Sequence, residues 1–380
     1  MEKIIILLII LNLTNAFGQT DKTAEEAINK FNSGEMEEAI GLMDKITNND
    51  PSLKNWNTLV DMYYNRYEQA KERETNVAFL FGQTLGIKSV SSATCYKELV
   101  SKCREAELYS ESPKASQLLR NYFIDTKPDS VVNEVAKKEF DIAENFFTKK
   151  DYNNSKAHYL KALLLQPDYY KATIYLGDSY WYLGNMDSAI YYFRKGIEKK
   201  PKLLEPRKYL VDALAYSKKN EEAKKECIEA IWIYPDKSMF MKYSDLVKRE
   251  GETFNKHWIK RECEVNNIKD SNAKPKNKLW KVYKLSGNQI KEYCDSTGVI
   301  VRSNTLTKSK YLEVYSWEKM LASSESSSEL TFAKKMADLG YLDCYVFISE
   351  FHFDLYSQYE NFARDNRERI KTYIEKYLIE

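Results

Sequence analysis

Pro167, Pro201 and Pro235 stand 34 residues apart, and the residues between them repeat in register. Segment 170–201 places Leu176, Gly177 and Tyr180 on one face of a first helix. Ala189, Phe193 and Gly196 follow at i, i+4 and i+7 on a second. One unit earlier the same slots hold Ile142, Ala143 and Phe146, then Ser155, Tyr159 and Ala162. One unit later they hold Leu210, Val211 and Leu214, then Ala223, Cys227 and Ala230. Small residues at matched positions let two antiparallel helices approach closely. A glycine inside a helix costs ~1 kcal/mol against alanine, so Gly177 and Gly196 point to a packing demand. Gly184-Asn185 breaks the middle unit, and each proline closes a hairpin. One helix pair cannot bury both its faces, so such units must stack.

The period and these slots resemble the tetratricopeptide repeat (TPR). The middle unit matches most closely, while Ser155 stands where the family usually has alanine and Val211 where it usually has glycine. The resemblance implies stacked helix pairs in a right-handed superhelix whose concave face binds peptide segments. The fold expected is mainly α: a TPR-like α-solenoid of helix-turn-helix repeats, followed by a small α+β C-terminal domain. Residues 19–135 are read as degenerate hairpins of the same kind, 136–237 as three repeat units, 238–269 as capping helices and the start of a linker, and 270–380 as the C-terminal domain.

A candidate binding surface follows from the period. Two residues beyond Ile142, Leu176 and Leu210 lie Glu144, Asp178 and Asp212, again 34 apart. Three and four residues further are Phe147 and Thr148, Trp181 and Tyr182, and Ala215 and Tyr216. Phe140, Ile174 and Lys208 precede the acids by one turn. In the family these slots line the concave groove. There, carboxylates would meet backbone amides or basic side chains, and rings would meet apolar or cationic groups. The competing reading is a solvated acidic stripe, with the rings packing on neighbouring helices.

The N-terminus has its own signature. Lys3 precedes an apolar run from Ile4 to Leu11, and Ala16-Phe17-Gly18 lies before Gln19. This reads as a secretory signal peptide over 1–18, cut between Gly18 and Gln19. The run is shorter than the ~20 residues that span a bilayer, and no mature segment reads as a transmembrane span. The expected location is periplasmic or extracellular. With 58 basic and 56 acidic residues the net charge is +2, which gives no reason to expect nucleic acid.

The chemistry of catalysis is not visible. None of the six cysteines forms a CxxC, and Cys95 and Cys103 on one helix lie ~12 Å apart, too far to bridge. Glu350, His352 and Asp354 alternate with Phe351, Phe353 and Leu355. On a strand the three polar side chains would share a face and suit a metal; on a helix they scatter, and flanking residues favour a helix. No nucleophile–base pair or phosphate-cradling loop appears. The expectation is therefore a non-enzymatic scaffold or adaptor of the cell envelope, needing no cofactor or metal and holding a protein or peptide partner.

Beyond Pro235 the sequence predicts a helix around Phe240, Tyr243, Leu246 and Val247, ended at Gly251, with 254–265 as its partner or a cap. The runs 279–285, 289–294, 298–303 and 311–317 read as strands of a small meander. Helices are expected over 330–339, from about Asp343 to Ala363, and around Ile370 to Leu378. The aromatic and carboxylate density at 345–359 gives the alternative expectation, a repeat-presented module with hydrolase or glycan-binding activity.

Overall fold

The structure, a computed structural model, describes residues 22–75, 90–123, 132–261, 279–283, 311–322 and 328–380. The expected signal peptide, the runs 289–294 and 298–303, and the linker at 266–278 lie outside them. The chain divides into two compact units, 1–115 and 116–380.

The first unit is built from α1 (Lys22–Ser33), α2 (Met36–Asn49), α3 (Leu53–Thr75) and α4 (Ser92–Ser110), each packed on the next. Gly34 takes φ +90° in the α1–α2 turn. Ala27, Ala39, Met43, Leu59, Val60, Cys95 and Cys103 fill the core between the pairs. Arg66 lies over the Tyr63 ring, 4.8 Å from its centroid, and is paired with Glu37 at 2.9 Å and with Glu98.

The end of α5 (Pro113–Phe123) leads into the second unit, whose body is three helix pairs. These are α6 (Glu134–Thr148) with α7 (Tyr152–Leu165), α8 (Tyr170–Tyr182) with α9 (Met186–Lys199), and α10 (Leu204–Tyr216) with α11 (Asn220–Ile233). A lone helix, α12 (Lys237–Arg249), follows and ends before Gly251 at φ +86°. Each pair turns in the same way. Lys150, Gly184 and Lys218, 34 apart, are all left-handed, at φ 62°, 77° and 61°. The next amide in each case closes the helix end: Asp151 N to Phe146 O, Asn185 N to Tyr180 O and Lys219 N to Leu214 O, all 2.9 Å. The small slots are buried, including Ala143, Gly177, Ala162, Gly196 and Ala230.

The C-terminal region departs from the sequence expectation. Residues 279–283 and α13 (Leu312–Ala322) are helical where strands are expected, and no strand occurs among the described residues. Glu313, Val314, Ser316, Trp317 and Met320 are buried along α13, a helical spacing that outweighs the strand preference of its rings and branched side chains. The expected helix from Asp343 to Ala363 is broken. A turn at Leu342–Cys344 runs into a π-helical turn, Tyr345–Ser349, and regular helix resumes only at α15 (Tyr356–Asp365), after α14 (Thr331–Asp338). The last helix is α16 (Arg367–Tyr377). Nor is the described part of 254–265, residues 254–261, helical: Thr253 exchanges two 2.8 Å backbone bonds with Glu380, and Phe254 bridges Ile379.

These C-terminal helices share one apolar core with the solenoid end, running from Ile174 and Phe193 through Ile231 and Tyr243 to Phe347, Phe362 and Tyr373. Trp232 Nε1 donates to Ala363 O at 2.9 Å, and the Tyr359 hydroxyl donates to Trp232 O at 2.8 Å. The region therefore works as a cap that keeps the last pair's apolar face from water. Tyr345, Phe347, Phe351 and Tyr359 are all buried in that core, so the ring density of 345–359 is structural.

Candidate partner-binding surface

Helices α6, α8 and α10 repeat one face every 34 residues, and the structure sorts the candidate residues on it into two sets. Phe140 and Ile174 are packed rather than open. Phe140 lies against Tyr159, Tyr169 and Tyr175, with ring centroids 5.0–5.8 Å apart. Ile174 is fully buried beside Gly196. Lys208, their equivalent in the third pair, donates to Gln117 Oε1 at 3.1 Å, and burial lowers its pKa. Asp212 is exposed and paired with Lys242 on α12.

The other set is half-buried at Phe147 and Trp181 and exposed at Tyr182 and Tyr216. Phe147, Trp181, Tyr182 and Tyr216 lie in the last turns of the three first helices. Tyr182 stacks on Tyr152 at 4.6 Å and meets the edge of Phe147 at 5.5 Å. Trp181 lies 5.5 Å from Tyr216. These contacts join neighbouring pairs, yet Tyr182 remains 55% exposed and Tyr216 70%.

One turn back sit the acids. The Tyr159 hydroxyl donates to Glu144, whose carboxyl is pushed up by burial and by Asp141 and Glu205. Glu205, on α10, accepts from the hydroxyls of Tyr175 and Tyr209, each at 3.3 Å. The sequence reading passes over Glu205. It occupies the slot that Lys171 fills one repeat earlier, and this charge reversal at a fixed repeat position is the signal that could have found it. Asp178 lies near both acids and makes no hydrogen bond or ion pair with another described residue. Burial, then Glu205 and Glu144, push its carboxyl up to about 7.

That shift has a consequence for stability. Folding raises the pKa from an ordinary 3.8, so the folded state holds an extra proton between pH 4 and 7. The penalty of an ionised Asp178 is absent below pH 4, grows through that window, and is complete above pH 7. Asp178→Asn is expected to stabilise the fold at pH 8 by on the order of 1–3 kcal/mol and to give no gain at pH 4, as thermal melts at the two values would show. A variant less stable than the parent at pH 8 would mean that the carboxylate is needed for packing.

Among the described residues no helix is long and apolar enough to cross a membrane, and no group of three His, Cys, Asp or Glu is placed to hold a metal ion. Glu350 accepts instead from Ile259 N at 2.8 Å and from the Tyr345 hydroxyl at 3.0 Å.

No curated protein matches the sequence. Solved structures that the chain matches include the TPR2AB domain of yeast Sti1 in complex with pHSP90, at 16% identity over 60% of this chain and 97% of that one, TM-score 0.29. Another is the TPR domain of P58(IPK), at 12% identity over 93% of this chain and 96% of that one, TM-score 0.29. A tetratricopeptide repeat profile matches residues 140–169 and 176–202. The first two helix pairs of the second unit are therefore tetratricopeptide repeats within a mainly helical solenoid.

Proposed function

We propose that the chain is a non-enzymatic scaffold or adaptor of the cell envelope that holds a protein or peptide segment on the face formed by α6, α8 and α10, the concave side of its repeats. The observation that carries this is the exposed aromatic edge. Tyr182 and Tyr216 contact rings of neighbouring pairs and still leave much ring surface to water, with the half-buried Trp181 against Tyr216. Contiguous exposed rings of this kind mark interaction sites. Export rests on the sequence at 1–18, and the solvated-stripe reading is weakened by the burial of Asp178 and Glu205.

A photo-crosslinking residue placed at Tyr182 or Tyr216 tests the proposal in intact cells. Discrete crosslinked partners are expected from both positions, and none from Lys225 on the outer helix α11. Equal crosslinking from all three, or none from any, would remove the case for a partner on this face.

A further inference from the structure

The occupant of this surface can be specified further, on the reading that it binds a peptide segment. The aromatic edge would accept many segments, and its charge surroundings decide among them. In the third pair the charges are already used, Lys208 on Gln117 and Asp212 on Lys242. Glu144 in the first pair and Glu205 at the start of the third are held by tyrosine hydroxyls, with Lys171 exposed nearby. Asp178 has acids on either side and no donor of its own among the described residues, and Trp181 and Tyr182 lie one helical turn away on the same face. A half-buried carboxylate beside open ring faces complements a cation on a long apolar stem, whose head would pair with the acid and whose methylenes would lie on the rings.

We propose that this surface takes an extended segment bearing lysine or arginine, with one cationic head seated on Asp178 between Glu144 and Glu205 and its stem against Trp181, Tyr182 and Tyr216. An acidic segment would bring a further negative charge beside three carboxylates in a poorly solvated place. The seat also predicts a pH dependence. The groups facing Asp178 are Glu144 from the first pair, Tyr175 from its own helix, and Glu205 and Tyr209 from the third, while Lys171 acts on Glu144 and Glu205, and Lys208 on Glu205. Binding of a cation requires the ionised carboxylate, so affinity rises with pH through the neutral range.

Selection of a random 12-residue peptide library on the full chain at pH 8, followed by titration of the enriched peptides, tests this. Enrichment of lysine and arginine is expected. Asp178→Asn should weaken the selected peptides about tenfold to a hundredfold, Trp181→Ala about tenfold, and a change from pH 8 to pH 6 about tenfold. Asp187→Asn, on the outer helix α9, should leave them unchanged. Enrichment of acidic or uncharged peptides that still depend on Trp181 would overturn the cationic seat and leave peptide binding standing. Basic peptides indifferent to both substitutions would overturn this location. No enrichment at all would overturn the proposal and peptide binding with it.

Discussion

Arg261→Met is expected to destabilise the C-terminal cap by about 3–5 kcal/mol, the largest effect of any single polar substitution considered. Arg261 is almost wholly buried and donates to Glu313 Oε1 at 2.8 Å, the Tyr283 hydroxyl at 3.0 Å and Glu350 O at 3.0 Å. Its Nε lies 3.5 Å from Glu350 Oε2. Glu313 also accepts from the Tyr283 hydroxyl at 2.5 Å and from Trp317 Nε1 at 3.1 Å. One guanidinium thus serves two buried carboxylates on separate elements. Removing it takes the buried guanidinium from both, so the desolvation cost of each is offset far less.

The loss should depend on pH in a stated direction. Burial already raises the Glu350 carboxyl, and Arg261 opposes that rise. Without the arginine Glu350 binds its proton more tightly, so the variant should lose more stability at pH 8 than at pH 5. Adding Glu313→Gln should recover part of the loss, because a neutral amide still accepts from Tyr283 and Trp317. Hydrogen exchange over residues 345–351, with urea unfolding of the full chain, reads both effects. Unchanged exchange in that segment would show that the cap is held by its apolar core alone.

How far the sequence reveals all this depends on what each contact needs. The repeat faces are legible because small residues must recur wherever two helices meet, and Ala162, Gly196 and Ala230 do so at 34-residue steps. The turns are legible only once. Gly184 announces a left-handed residue, whereas Lys150 and Lys218 adopt the same conformation without glycine, because the closing amide bonds impose it. Period also names a face without saying whether a neighbour covers it: Phe140 and Ile174 share the register of the open residues, yet Tyr175 and Gly196 lie across them. In the C-terminal cap, rings and branched side chains read as strands, but the long-range partners Arg261, Glu313 and Glu350 hold helices together there. No local pattern contains that information.

Gly177→Ala is expected to lower stability by about 1–2 kcal/mol, although alanine is the better helix former by ~1 kcal/mol. A methyl group at this position would lie 2.7 Å from Phe193 Cε1, 2.8 Å from Cδ1 and 3.3 Å from Tyr192 Cβ. Phe193 is fully buried and lies 5.5 Å from Tyr209, so the ring cannot turn aside without displacing α10. Phe193→Ala alone should cost about 3–5 kcal/mol, since it empties the space between two pairs. The two changes should then not add. In the Phe193→Ala background the clash is gone, the new methyl fills part of the vacancy, and Gly177→Ala should become neutral or stabilising by up to ~1 kcal/mol. Thermal and urea unfolding of the four chains measures this coupling. A stabilised Gly177→Ala in the parent chain would show that α8 and α9 have room to separate. Because Asp178 is the next residue and Trp181 one turn on, the glycine that admits the Phe193 ring also fixes how closely the proposed binding face of α8 is held to its neighbours.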